Sequence, residues 1–185
     1  MPRVLVPLAP GCEELEAVTI IDQLRRADID VVTASLEEGP VTASRGTVLL
    51  ADTVLDAVLE EDFDMIVLPG GLPGADHLET DERVIALLRR QQSAGRYAAA
   101  ICAAPKVLAR AGLLDDKTAT CYPGSVNANA YPRVKFVATP VVADGLVVTS
   151  RGPGTAMDFA LQLIELLQGR DRRDQVENAL VRAAV

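Results

Sequence analysis

The sequence predicts a doubly wound α/β fold with a mostly parallel sheet, and three observations carry that expectation. Short apolar runs recur at Arg3–Ala9, Asp30–Ser35, Asp64–Leu68 and Tyr97–Ile101, each read as a strand. Helical patterns alternate with them at Glu13–Ala27, Asp81–Ala94 and Ala103–Ala111. Turn residues such as Pro10-Gly11 and Pro69-Gly70-Gly71 close the strands. Strands alternating with helices bury both faces of a sheet most simply when the sheet is parallel.

Taken in order, Arg3–Ala9 is a buried-type strand that ends in the turn Pro10-Gly11-Cys12. The helix after it opens with the carboxylates Glu13, Glu14 and Glu16, where acids complement the helix dipole. Glu16 falls on a stripe with Ile20 and Asp22 or Gln23, so it is either a solvated acid or a partly buried carboxylate facing a strand end. Asp30–Ser35 is the second strand. Val41–Leu50, in which Thr42, Ser44 and Thr47 lie among apolar residues, reads as a hairpin inserted after it. Asp64–Leu68 runs into Pro69-Gly70-Gly71. That glycine pair is either a simple turn or a place where backbone N–H groups approach a reacting oxygen. Val134–Ala138 and Leu146–Thr149, joined through Ala143-Asp144-Gly145, read as a second hairpin or as neighbouring strands. Met157–Leu167 is an amphipathic helix stopped by Gly169. Asp171–Ala184 reads as a terminal helix with Val176, Leu180 and Val181 on one face. No low-complexity tract, repeat or linker divides the chain, so residues 1–185 are expected to form one domain.

Tyr97-Ala98-Ala99-Ala100-Ile101-Cys102-Ala103-Ala104-Pro105 carries the chemistry. A small-residue strand enters a tight turn and then a helix, which leaves Cys102 at the carboxyl edge of the sheet. This is the geometry of a nucleophile elbow, with alanines in place of the usual glycines. A helix N-terminus just beyond a thiol lowers its pKa, so Cys102 is expected to be largely thiolate. A buried structural cysteine is the bland alternative. Three strand-ending turns, at Gly11–Glu16, Gly70-Gly71 and Cys102, would converge on one sheet edge. Cys12 lies in that edge region as a small loop residue or a resolving thiol, and Cys121 reads as a packed strand residue.

Composition narrows the function. The 185 residues are 49% hydrophobic but only 3% aromatic, which implies a core of Val, Leu, Ile and Ala. A net charge of -8 speaks against a nucleic-acid groove, which needs a basic stripe. Three irregularly spaced cysteines fit a reducing, cytoplasmic setting better than a disulfide framework. No apolar run approaches the length of a membrane span, and no signal-peptide h-region precedes the first strand. A phosphate loop, dinucleotide spacing and clustered metal ligands are also missing, so no cofactor and no metal are expected.

Four motifs together resemble the ThiJ/PfpI superfamily. They are Pro10-Gly11-Cys12-Glu13-Glu14-Leu15-Glu16, Val67-Leu68-Pro69-Gly70-Gly71, Ala99-Ala100-Ile101-Cys102-Ala103-Ala104-Pro105 and Thr149-Ser150-Arg151-Gly152-Pro153-Gly154-Thr155. The similarity runs from Val4 through Leu167 and is close to the branch of the Parkinson's-associated protein deglycase and its bacterial relatives. It implies a flavodoxin-like sandwich of the class I glutamine amidotransferase type. It also implies Cys102 as nucleophile, Glu16 as the acid beside it, and Gly70, Gly71 and Ala103 on the substrate side, with the N–H groups of Gly71 and Ala103 facing the substrate oxygen. Arg45 and Arg151 would support the site near a homodimer contact, with Glu13 and Asp22 as natural partners for their guanidinium groups.

Two residues bear on the chemistry. Tyr122, in Thr120-Cys121-Tyr122-Pro123, stands where many members of the superfamily carry a histidine before a proline. The only histidine, His77, reads as a solvated loop residue before an acidic turn. Peptidase-type Cys-His chemistry is therefore disfavoured, and Cys-Glu chemistry is favoured. The resemblance implies a stress-protective, cofactor-independent enzyme acting on a small reactive carbonyl. Methylglyoxal conversion to lactate, of the glyoxalase III type, and deglycation of early glyoxal adducts are the activities implied. The alternative is an oxidative-stress sensor or holdase chaperone in which Cys102 is oxidised to sulfinate. A thiamine-pathway role finds no support in any residue.

Overall fold

The computed structural model describes residues 1–182. The first half of the chain forms β1 (Arg3–Leu8), α1 (Glu14–Arg26), β2 (Asp30–Ser35), β3 (Val41–Thr42), β4 (Val48–Leu49), β5 (Thr53–Val54), β6 (Met65–Leu68), α2 (Gly74–Thr80) and α3 (Glu82–Ser93). The second half forms β7 (Tyr97–Ile101), α4 (Pro105–Ala111), β8 (Thr118–Ala119), β9 (Lys135–Phe136), β10 (Val141–Asp144), β11 (Val147–Ser150), α5 (Ala156–Gln168) and α6 (Arg170–Ala179). Seven strands make the main sheet in the order β10-β11-β7-β6-β1-β2-β5. All neighbours in it pair parallel except β10 with β11.

The period-two alternation of side chains divides the core between the two faces. Val4, Val6, Leu8, Met65, Val67, Ala99 and Ile101 face one layer, built on Ala17, Ile20 and Leu24 of α1 and Phe159, Leu163 and Ile164 of α5. Leu5, Ile66, Leu68, Ala98 and Ala100 face the other layer, with Leu78 of α2, Val84 and Leu88 of α3, and Val107 and Leu108 of α4. Helices therefore cover both faces, and the doubly wound, flavodoxin-like arrangement expected from the sequence is the one adopted. β1, β6 and β7 lie side by side in the middle, so their carboxyl ends come together at one edge.

Several expectations need correction. The residues Val41–Leu50 do form a hairpin, β3 with β4, but as a separate two-stranded unit. Val134–Ala138 contains β9, which pairs parallel with β8 and not with the strand that follows. The real second hairpin is β10–β11, so Ala143 and Asp144 belong to a strand and the turn is centred on Gly145. The terminal helix starts at Arg170 and ends at Ala179, with Val176 buried. Leu180 packs partly against the core, but Val181 lies past the helix and is 88% exposed. Ala183 and Ala184, expected in that helix, lie outside the described residues. Among the described residues no helix is long and apolar enough to cross a membrane.

Candidate functional site

Cys102 sits one residue past β7 with φ 63°, in the left-handed region that side chains with a Cβ rarely adopt. Its backbone is held from three sides. The Cys102 N–H donates to the Ser150 carbonyl at 3.0 Å, and the Cys102 carbonyl accepts from the Tyr122 N–H at 2.8 Å and from the Ser125 hydroxyl at 3.3 Å. The elbow read from the sequence is therefore present.

The end of β6 meets this elbow at Gly70. A Cβ built on Gly70 would lie 2.6 Å from the Cys102 Cβ and 2.8 Å from Glu16 Oε2, so only glycine fits here. The Gly70 N–H donates to Glu16 Oε2 at 2.9 Å, and the Gly70 carbonyl accepts from the Glu13 N–H at 2.9 Å. Gly71 has φ 89°, and a Cβ on it would meet the Glu13 nitrogen at 2.4 Å. The glycine pair is thus more than a turn. It clamps the start of α1 against the cysteine and aims the Gly71 N–H, with that of Ala103, at the Cys102 sulfur.

Glu16 is fully buried, as are Ile20 and Gln23 on the same stripe, whereas Asp22 is exposed. Burial raises Glu16 to about 7 against the pull of its hydrogen bonds with Cys102 and Gly70. Its Oε1 makes no hydrogen bond, and the Cys102 thiol is a polar neighbour of this carboxyl.

The thiol departs from expectation. Burial, then the charge of Glu16 and the hydrogen bond to it, push Cys102 up to about 12, while the N–H groups of Gly71 and Ala103 pull the other way. The helix behind it is the seven-residue α4, starting three positions on, and it does not outweigh a buried carboxylate in contact. Burial and the neighbouring carboxyl thus favour the protonated thiol, where the sequence suggested a thiolate.

Residues expected beside the pair fall into two groups. Glu13 caps α1 by accepting from the Glu16 N–H at 2.7 Å, and it lines a pocket of about 430 Å³ with Arg45, Gly71, Leu72, Cys102, Ala103 and Tyr122. Asp22 pairs with Arg26 at 2.7 Å, and the guanidinium groups of Arg45 and Arg151 meet neither Glu13 nor Asp22 within one chain. The hairpin is fixed instead through Glu14. Its carboxylate accepts from the backbone N–H groups of Arg45 and Thr47 and from the Ser44 hydroxyl. Burial alone would raise Glu14, but these donors hold it at about 2. Arg151 follows Ser150, the residue that anchors the Cys102 N–H.

The other two cysteines lie apart from this chemistry. Cys12 is fully buried and its thiol is pushed up to about 11 by burial and then by Glu14, which suits a packed residue and not a resolving thiol. Cys121 lies just past β8 and is half-buried, so it is not a strand residue. His77 belongs to α2, not to a loop, and its Nδ1 donates to the Pro10 carbonyl at 2.9 Å. Among the described residues no three His, Cys, Asp or Glu side chains are grouped to hold a metal ion. The anchors Ser150 and Ser125 were not anticipated. Their only signal is their place in the turns Ser150-Arg151-Gly152 and Pro123-Gly124-Ser125.

Known proteins share this arrangement of chain. The DJ-1/PfpI family description matches residues 2–166. Protein dj-1beta of Drosophila melanogaster is 45% identical over 182 residues, covering 96% of this chain and 95% of that protein. The crystal structure of Drosophila melanogaster DJ-1beta superposes with a TM-score of 0.93 at 43% identity, covering 99% of each chain. A Caenorhabditis elegans protein named glutathione-independent glyoxalase DJR-1.2 is 33% identical over 173 residues, covering 93% of this chain and 92% of that protein. Two Arabidopsis thaliana relatives, DJ-1 homologs A and B, are 44% and 42% identical across 96% and 97% of this chain, but the chain spans only 46% and 41% of their length. With a family match over most of its length and relatives of this similarity, the chain belongs to the DJ-1/PfpI family.

Proposed function

We propose that the chain is a cofactor-independent enzyme that converts 2-oxoaldehydes such as methylglyoxal into 2-hydroxy acids, with Cys102 as nucleophile and Glu16 as the proton carrier. The observation that carries the reading is the buried Glu16 carboxyl, raised to about 7, placed against the Cys102 thiol at the wall of an open pocket. A base near the working pH is suited to taking and returning protons.

In this reading the Glu16 carboxylate takes the thiol proton as Sγ attacks the aldehyde carbon. The C–S bond forms, and the carbonyl electron pair moves to oxygen, where the N–H groups of Gly71 and Ala103 stabilise it. Glu16 returns its proton to that oxygen, giving the hemithioacetal. The same carboxylate then removes the hydrogen from the former aldehyde carbon, and the electron pair passes through an enediol to the neighbouring carbon, which is reprotonated. The product is a 2-hydroxyacyl thioester, and water releases the hydroxy acid and restores the thiol. Methylglyoxal plus water gives lactate, with no net oxidation.

The relative named a glutathione-independent glyoxalase supports this reading. Deglycation of early glyoxal adducts would use the same first step. The working form is proposed as a homodimer, supported by the exposed apolar side chains Leu15 and Val18 on α1 and Val48 and Leu50 at the hairpin. Lactate formation from methylglyoxal, compared between wild type, Cys102→Ser and Glu16→Gln, is the test. Equal rates in all three would overturn the assignment.

A further inference from the structure

Tyr122 occupies an unusual place for a half-exposed aromatic residue. Its N–H donates to the Cys102 carbonyl at 2.8 Å, so its position is tied to the elbow itself. The ring lies over Gly152, where a Cβ would come 3.3 Å from Cδ2 and 3.8 Å from Cε2. Gly152 has φ 169°, an ordinary extended backbone, so a side chain there would crowd the ring rather than strain the chain path. The backbone bond to the elbow and the contact with Gly152 hold the ring at the pocket. Leu72, 58% exposed, stands on the same pocket as a second uncovered apolar group.

The pocket volume, about 430 Å³, lies in the range of about 300–1,000 Å³ that encloses drug-sized ligands. A three-carbon aldehyde fills a small part of it. An aromatic ring and a leucine left bare beside the nucleophile are the groups that would bury the rest of a larger molecule.

We infer that Tyr122 and Leu72 form an apolar subsite that receives the substituent beyond the reacting carbonyl, so that Tyr122 is a specificity-determining residue favouring 2-oxoaldehydes with a planar, apolar substituent. This rests on the proposed glyoxalase reading. It adds the class of substituent and the residue that selects it. The ring acts through stacking, so Tyr122→Phe keeps the selectivity and Tyr122→Ala removes it.

The test reads the subsite without turnover. Mandelate and lactate are both 2-hydroxy carboxylates and differ by a phenyl ring in place of a methyl group. Each is used to protect Cys102 from iodoacetamide, with the labelled residue located by mass mapping. In the wild type mandelate is expected to protect at about fivefold lower concentration than lactate, the scale of one aromatic contact. Tyr122→Phe keeps that ratio and Tyr122→Ala brings it to one. Should Tyr122→Ala fail to fold, Gly152→Val, which crowds the ring from behind, carries the same expectation. Equal protection in the wild type, or a ratio retained in a folded Tyr122→Ala, overturns the inference. A wild type that makes no lactate from methylglyoxal yet keeps the mandelate preference overturns the glyoxalase reading and leaves the subsite standing.

Discussion

The Gly70 N–H donates to Glu16 Oε2 at 2.9 Å across 54 positions of sequence, and this bond joins α1 to the end of β6. It decides which way the carboxyl faces. With Oε2 occupied, the rest of the group is left to the thiol of Cys102; the carboxylate raises the proton affinity of that thiol, while burial raises its own.

Glu16→Gln is expected to lower methylglyoxal turnover by at least about 100-fold, the usual scale for losing a positioned proton carrier. The amide oxygen still accepts from Gly70, so the fold persists. In the wild type, activity falls as pH drops through about 7, because the carboxylate that takes the thiol proton is lost. A pH–rate profile of kcat/KM checks this. An acidic limb that survives in Glu16→Gln would assign it to another group.

The same substitution should stabilise the protein above neutrality. Glu16 holds its proton more tightly when folded than when unfolded, so between about 4.5 and 7 the folded state binds more protons and stability falls as pH rises. Above that window the buried charge costs up to about 3 kcal/mol. Thermal melting at pH 8 and pH 4 should show Glu16→Gln above wild type at the higher pH and level with it at the lower. The reverse order would mean that the carboxylate is stabilised in the fold.

Alkylation of Cys102 should move to lower pH in Glu16→Gln, because a neighbouring negative charge is removed while the Gly71 and Ala103 donors remain. Cys12, fully buried, should stay unlabelled until the protein unfolds. Iodoacetamide labelling across a pH series, mapped by mass, measures both. An unchanged Cys102 midpoint would show that the two side chains do not communicate.

Gly70→Ala places a methyl group 2.6 Å from the Cys102 Cβ and 2.7 Å from the Ile101 carbonyl oxygen. Overpacking against backbone is expected to cost about 1–3 kcal/mol and to displace the elbow. Denaturant melts should show the loss together with the loss of lactate formation. A fully active, equally stable variant would contradict the tight approach of β6 to Cys102.

Arg45→Glu tests the proposed dimer. Light scattering at micromolar concentration is expected to give a dimer for wild type and a dimer at least about tenfold weaker for the variant, which is about 1.4 kcal/mol. Turnover should fall with it, since Arg45 also lines the pocket. A monomeric wild type would remove the dimer from the proposal.

Much of this was legible in the sequence because it is local. β2 and β7 have the boundaries their apolar runs imply, and Gly70-Gly71 and Cys102 lie in strand-ending turns that could be read residue by residue. The two-residue strands β5 and β8 escaped because so short a bridge has no periodicity, and β8 pairs with a strand 17 positions later. β10 escaped because Pro140 and Gly145 bracket it like loop residues, although an edge strand tolerates both. α2 was hidden by the Gly-Pro cluster at its start. At the site, the direction of the Cys102 shift could not be read from its own segment. It is set first by burial and then by Glu16 through space, and the segment itself suggested only the helix that follows.

The left-handed backbone at Cys102 reverses a familiar rule of protein engineering. Elsewhere, cutting an alanine back to glycine weakens a fold by about 0.5–1 kcal/mol, because the unfolded chain gains freedom. At φ 63° any Cβ presses on its own carbonyl, and the bonds to Ser150, Tyr122 and Ser125 prevent the residue from rotating away. Cys102→Gly should therefore outlast Cys102→Ala on heating, by about 1 kcal/mol. Selection for heat tolerance alone would install glycine here. The cysteine stays only as long as its sulfur is in use.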